Sequence, residues 1–571
     1  MAAAVAGHRR RLGPALREAL GALTLAAVPV GFVVLFFVVP VIGMLRLGLW
    51  PQGHLDLGGA FDVLRRGYIV RAIWFTLWSS AVATAIAVVL GLPAAYALYR
   101  VRWPGARLVR AFLAVPFVLP TVVVGIAFRE LLHPGGLLGW THADGTAWAV
   151  VAGLAYFNVA VVIRVVGAAW AGLDPRQAEV AAGLGARPLT VLRTVTLPAL
   201  RPAVVSAASV VFLFCATSFG VVLTLGGLRY ASVESEIYLL TTDLFDLRGA
   251  AALSIVQLLA VIVLLALAGR LGSGWGLAGA QTAAPTRSLR RGDAGPLAAT
   301  LALTAIVLLP LVTLVVGSLR VGGHWTTVGY RNLAAGNGCG GCLPGSVTTA
   351  LLTSLRISLW AALLSLALGL LVAVVVTRRS RSITVRRVGS VVDGLVMLPL
   401  GVSAVTLGFG LLVTLDRPPV DFRGEPWLVP VAQALVALPL VVRTLVPALG
   451  SVDEGLRESA SGLGASPLRV VLTIDLPLVR RSLLAAAGFA FAASLGEFGA
   501  TSFLARPQTL TLPVAIYRVL GHPGAATYTM ALAASVVLAA TTTVVMLAVE
   551  SLRAPRRSYT RCSCTGARSG S

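Results

Sequence analysis

Apolar residues fall in long runs along this chain, separated by short polar stretches crowded with arginine, glycine and proline. The first run begins near Leu23 and continues for about 24 residues, enough for a helix to cross a hydrocarbon core of about 30 Å. Runs of similar length follow at approximately 72–99, 111–132, 148–172, 203–228 and 249–269, then at 296–318, 350–377, 389–415, 428–450, 482–505 and 525–550. The pattern predicts an all-α polytopic membrane protein with about 12 transmembrane helices. Residues 1–21 hold Arg9, Arg10, Arg11 and Arg17, and the run after them lacks a clear small-residue cleavage site, so the pattern reads as a tail ahead of an uncleaved span.

The runs group into two sets. Residues 271–295, rich in Gly, Ala and Arg and without apolar periodicity, read as a linker between a first unit at 22–270 and a second at 296–550, with a closing tail at 551–571. Each unit carries a polar loop, at 174–202 and at 452–480, and the two loops match. Glu179, Ala181, Gly185, Val195, Leu197 and Pro198 recur 279 residues later as Glu458, Ala460, Gly464, Ile474, Leu476 and Pro477. Arg164 with Arg443 and Ser218-Phe219-Gly220 with Glu497-Phe498-Gly499 keep the same offset. Pro116 and Gly125 match Pro399 and Gly408 at 283. An even number of spans per unit returns the second to the orientation of the first, so the repeats are parallel.

Within each loop, two short helical stretches are expected on either side of the glycine, which has no Cβ and tolerates the turn. Leu189, Leu192 and Val195, and in the second loop Leu468, Val471 and Ile474, give a narrow apolar stripe on a helix too short to span. The proline that follows starts the next span.

Composition agrees with a bilayer protein. Hydrophobic residues make up 57% of the 571 and charged residues only 12%, well below the quarter or so usual in soluble domains. The net charge of +24 invites nucleic acid as a partner, but the arginines sit in clusters between the spans, as topogenic charges do, so a lipid bilayer and no nucleic acid is the reading. The clusters Arg100/Arg102/Arg107/Arg110, Arg378/Arg379/Arg381/Arg386/Arg387 and Arg553/Arg556/Arg557 share one side if both termini are cytoplasmic, and both polar loops then face the cytoplasm. Cys339 and Cys342 have C-x-x-C spacing without a second pair, which favours a local disulfide or no role over a metal site.

Glu-x-Ala-x-x-x-Gly, nine residues, then Ile or Val-x-Leu-Pro resembles the "EAA" loop of permeases from binding-protein-dependent ATP-binding-cassette (ABC) importers. Val180 and Ser459 stand where that motif has its first Ala. The resemblance implies a type I importer fold in a bacterial plasma or inner membrane. It also implies that both loops act as coupling helices docked on ATPase subunits, two copies for one fused chain. All 46 basic residues are Arg, so a P-loop, which needs Lys at the phosphates, is excluded. No catalytic residue and no bound cofactor or metal is expected; ATP is hydrolysed by the partner. The longest outer segment, 321–349, is too short for a receptor domain, and a separate solute-binding protein is implied.

Glu497 falls well inside an apolar run, where a carboxylate is costly. It could attract a cation, line a gate or be hydrogen-bonded in helix packing, with packing or gating favoured; Ser218, Phe219 and Phe498 join it as pathway or gate residues. Arg164 and Arg443 read as snorkelling residues or as bridges to the loops. The stretches around Glu234-Ser235-Glu236-Ile237-Tyr238 and Ile516-Tyr517 look like those of fused permeases for thiamine and for ferric iron, placing acidic Glu234, Glu236, Asp243 and Asp246 outside. An ion-coupled secondary transporter of two six-helix halves is the alternative, and it leaves the paired loops unexplained.

Overall fold

A computed structural model of the protein describes residues 14–50, 53–227, 229–271, 286–335, 343–378, 383–417, 420–422 and 424–553. Most of the N-terminal tail and linker, the Cys339/Cys342 pair and the C-terminal tail lie outside the described residues. Among the described residues, nine helices are long and apolar enough to cross a membrane. The first half supplies α1 (Leu23–Leu49), α2 (Gly67–Tyr99), a bent pair α3 (Ala106–Val118) and α4 (Thr121–Leu132), α5 (Ala147–Gly172), the short α6 (Pro175–Gly183), α7 (Pro188–Ala216), short α8 (Gly220–Gly226) and α9 (Val233–Thr242), and α10 (Leu247–Leu271). The second half repeats the order as α11 (Ala294–Ser318), α12 (Val347–Thr377), the bent pair α13 (Ile383–Met397) and α14 (Ala404–Thr414), α15 (Leu428–Gly450), α16 (Glu454–Gly462), α17 (467–495), α18 (Gly499–Leu504), α19 (Leu512–Leu520) and α20 (Ala525–Arg553).

The expected set of unbroken spans needs correction. Two of them bend sharply, by 106° between α3 and α4 and by 100° at the junction of α13 and α14; counting each pair as one span raises nine to eleven. Pro120 precedes the first residue of α4, and Pro399 lies at the second break, where a ring replaces the N–H a continuing helix would donate. The expected spans at 203–228 and 482–505 also stop early, at Ala216 and Leu495, and resume as α8 and α18. α17 carries Arg480 and Arg481 near the start of its long α-helical part, Leu476–Leu495, and is not among the eleven.

Within each half, α2 lies along α5, and α12 along α15. A Cβ at Gly91 would meet Val162, and one at Gly369 would meet Val441, so a hydrogen at these positions permits the close approach in both repeats. The opening span of each half crosses to the other: α1 packs on α12, α13 and α14, whereas α11 packs on α2, α3 and α4. The largest buried cluster runs from Ala26 to Leu538 and joins both halves; a second gathers the first half around Leu303 and Val307 of the crossing α11, and a smaller third lies within the second half. The end of the linker is pinned to the first half, where Val101–Arg102 pairs in parallel with Arg287–Ser288 and Tyr96 donates to Asp293 at 2.8 Å.

Candidate functional site: two matched loops and a central aromatic seam

Helix α6 begins where Asp174 accepts the Arg176 amide at 2.9 Å; α16 begins where Asp453 accepts the Gly455 amide at 2.9 Å. Both helices end alike. Gly185 sits at φ 87° and donates to the Ala182 carbonyl at 3.0 Å, while Ala186 donates to Ala181 at 3.1 Å. Gly464 sits at φ 86° and donates to the Ser461 carbonyl at 3.0 Å, while Ala465 donates to Ala460 at 3.0 Å. This is a left-handed helix C-cap, and a residue without Cβ adopts it at no steric cost. The turn presents Leu184 and Leu463 to the outside, 84% and 90% exposed. Glu179 and Glu458 are exposed on the helices before them, and Ala181 and Ala460 are half-buried.

After the turn the chain re-enters helix at Pro188 and Pro467, passes through a π-helical turn at Leu192–Thr196 and Val471–Asp475, and continues as α7 and α17. Val195 and Ile474 are half-buried in these turns, Leu197 and Leu476 start the long helices, and Pro198 and Pro477 follow in their first turn. Leu189 and Leu468, from the expected apolar stripe, are exposed. The residues of the repeated motif, together with Leu184 and Leu189, therefore have counterparts 279 positions away on this surface.

One feature breaks the symmetry, and sequence reading missed it. Arg457 donates to Asp475 at 2.8 Å, to Glu454 at 3.1 Å and to the Leu449 carbonyl at 2.9 Å, clamping α16 to the π turn beneath it. Burial lowers its pKa, but the hydrogen bonds to Asp475 and Glu454 raise it further, so it stays above the ordinary arginine value. The first loop has Ala178 and Thr196 at these places. Arg457→Ala strands the buried Asp475 carboxylate and is expected to loosen the second loop by about 2–3 kcal/mol. Hydrogen exchange over 454–462 then accelerates while that over 175–183 does not change. Arg164 and Arg443 are exposed on α5 and α15; in the first half it is Arg100 that reaches the loop, donating to the Leu173 carbonyl at 3.2 Å.

The helix breaks after α7 and α17 bring the other predicted residues to the seam between the halves. Phe219 and Phe498 stack there, ring centroids 5.1 Å apart and planes 16° from parallel. Tyr238 flanks Phe219 at 5.3 Å, and Tyr517 flanks Phe498 at 5.5 Å. Ser218 is half-buried beside Phe219. Glu497 is buried and accepts the backbone amides of Ala500 at 2.8 Å and Thr501 at 3.0 Å, together with the Thr501 hydroxyl. Its carboxylate caps α18, whose free amides and dipole favour a negative charge at that end.

The acidic residues expected outside are distributed differently. Glu234 and Glu236 are buried on α9, because that helix packs inward against α10 and α14 instead of forming an outer loop. Asp246 pairs with Arg66 at 2.6 Å.

The family described as "Binding-protein-dependent transport system inner membrane component" matches the chain twice, over residues 87–275 and 365–556. Its similar proteins include the "Thiamine transport system permease protein ThiP" of Brucella abortus (strain 2308), 29% identical over 488 residues that cover 81% of this chain and 85% of the relative. The protein of the same name from Escherichia coli (strain K12) is 25% identical over 496 residues, 83% of this chain and 88% of the relative. A "Probable ABC transporter permease protein y4fN" from Sinorhizobium fredii is 25% identical over 525 residues, 85% and 88%.

Proposed function

The chain belongs to the family of binding-protein-dependent transport system inner membrane components, and from that premise we propose that it is the fused permease of a thiamine importer. The observation that carries the reading is the pair of matched, exposed cap loops ending at Gly185 and Gly464. They offer two equivalent docking points on one chain, which suits two copies of an ABC ATPase subunit and one solute-binding protein on the opposite side. The coupling contacts fall to Glu179, Ala181, Gly185, Val195, Leu197 and Pro198 and to Glu458, Ala460, Gly464, Ile474, Leu476 and Pro477. ATP is bound and hydrolysed by the partners and not by this chain. Both tails and both loops share the cytoplasmic side.

Closure of the ATPase dimer draws the loops together, and α7 and α17 carry that motion to the seam. Phe219 and Phe498 form the gate there, with Ser218 beside it and Glu497 fixing the backbone of α18 under it. The names of the relatives favour thiamine over ferric iron. Membership of this family sets aside the ion-coupled facilitator.

The test is uptake of labelled thiamine by proteoliposomes holding the chain, its ATPase and its binding protein. Accumulation that requires ATP and ignores a proton ionophore is expected. Accumulation driven by an ion gradient without ATP overturns the reading. Native mass spectrometry of the same complex is expected to give one permease to two ATPase chains.

A further inference from the structure

One group of buried polar side chains belongs neither to the coupling loops nor to the stacked rings. Glu234, in the first turn of α9, has no exposed surface. Its carboxylate accepts the Ser403 hydroxyl at 2.8 Å on one oxygen and the Gln257 amide on the other. Thr406 donates to Gln257 at 3.3 Å and accepts from the Ser403 hydroxyl at 3.1 Å. Glu234 and Gln257 come from the first half, on α9 and α10; Ser403 and Thr406 come from the second, at the start of α14. The network therefore bridges the seam.

Both hydrogen-bond partners of this carboxylate are neutral, so an acid is buried without a countercharge, a costly arrangement that helix packing alone does not require. The other side of the seam shows as much. Offsets of 279 and 283 place Pro513 and Val536 where Glu234 and Gln257 stand, and Pro120 and Val123 where Ser403 and Thr406 stand. The same junction is built there from apolar residues. Tyr238 lies one turn beyond Glu234 on the same face of α9, and its ring touches Phe219 at 5.3 Å and Phe503 at 5.5 Å. Glu234 thus adjoins an aromatic surface on one side of the central axis and has no acidic counterpart at the matching position of the other half.

We propose that Glu234 is the cation-recognising residue of the transport pathway, holding a flat aromatic cation against the Tyr238–Phe219 face when the halves separate. Separation carries Ser403 and Thr406 away with the second half and uncovers the carboxylate. On closure Ser403 returns as its partner and the cation is displaced. The inference rests on the thiamine reading, since thiamine carries a fixed positive charge on one of two aromatic rings, and rings and charge together suit a carboxylate beside aromatic faces.

Two measurements on the whole complex test it. In uptake, Glu234→Gln is expected to lower thiamine transport about tenfold, the loss of one charge-assisted contact, while ATPase stimulation by the loaded binding protein persists. Glu234→Asp recovers part of the loss; wild-type uptake by Glu234→Gln overturns the proposal. The second measurement uses the unaltered protein and decides the matter where Glu234→Gln fails to assemble. A hydrophobic carbodiimide is applied to the vanadate-trapped complex, and the labelled Glu234 peptide is quantified by mass spectrometry. Labelling is expected, and thiamine or N-methylquinolinium at ten times its dissociation constant reduces it about tenfold, whereas an uncharged thiophene analogue of thiamine does not. No labelling, labelling indifferent to both cations, or equal protection by the uncharged analogue overturns the site. Protection by N-methylquinolinium with no ATP-dependent thiamine uptake by the wild type instead overturns thiamine as the solute and leaves the site standing.

Discussion

With Gly185 and Gly464 both replaced by valine, the chain still inserts in the membrane but no longer retains its ATPase partner. Both glycines occupy the left-handed region, at φ 87° and 86°. An L-residue there costs about 1–2 kcal/mol, and a β-branched one is the least tolerated. Open space surrounds each position, with no atom within 4 Å of where a Cβ would sit, so the penalty falls on the turn and not on the core. The cheapest relief is to unwind the cap, which gives up the hydrogen bonds from Gly185 to Ala182 and from Gly464 to Ser461. Leu184 and Leu463 then lose the positions from which they project. At 1.4 kcal/mol per factor of ten, each altered loop weakens docking about tenfold, and the two multiply. Affinity capture of the ATPase on the tagged permease, with thiamine uptake alongside, reads the result. Asparagine, which tolerates the left-handed region, is expected to restore capture when placed at both sites. Full capture and uptake by the double valine variant removes the coupling assignment.

The sequence showed where the apolar spans lie and where the two matched loops fall, because both patterns write themselves locally. A span needs a run of apolar residues of fixed length, and each matched loop is a polar island with a glycine and a proline at set places. The breaks are different. Ser218 and Glu497 lie inside apolar runs that continue past them, and hydropathy does not distinguish a helix that crosses from one that stops at Ala216 and turns. Pro120 and Pro399 were visible hints of the other two bends. Arg457 and Asp475 stand 18 residues apart and meet only because α16 folds back on the π turn. Glu234 read as an outer residue because its stretch falls between two apolar runs and looks like an outer segment of fused permeases; its burial comes from packing between the halves, which no local pattern encodes. The crossing of α1 and α11 onto opposite halves is tertiary in the same sense.

Removing the Phe219–Phe498 stack, the gate proposed above, is expected to make the importer leak. α7 runs unbroken from Pro188 to Ala216, 29 residues, or about 43 Å of helix, so its lower end joins the coupling loop and its upper end stops just short of Phe219. α17 does the same for Phe498 over 467–495. Two rods that end on one stacked ring pair form a device in which moving the loops apart or together must change the stack. Phe219→Ala with Phe498→Ala deletes both rings. Each truncation of a buried phenylalanine costs about 3–5 kcal/mol of packing, and the stacking adds about 0.5–1.5 kcal/mol for the pair. That energy is held in the closed arrangement, and its loss shifts the complex toward the separated one. Basal ATP hydrolysis without binding protein is expected to rise at least about tenfold, since the shift exceeds 1.4 kcal/mol. Vesicles preloaded with labelled thiamine are expected to release it without ATP. Phe219→Tyr with Phe498→Tyr keeps the stack and is expected to hold the solute. If the double alanine variant stays tight and its basal hydrolysis matches the wild type, the stacked rings are packing alone and the barrier to solute lies elsewhere along the seam.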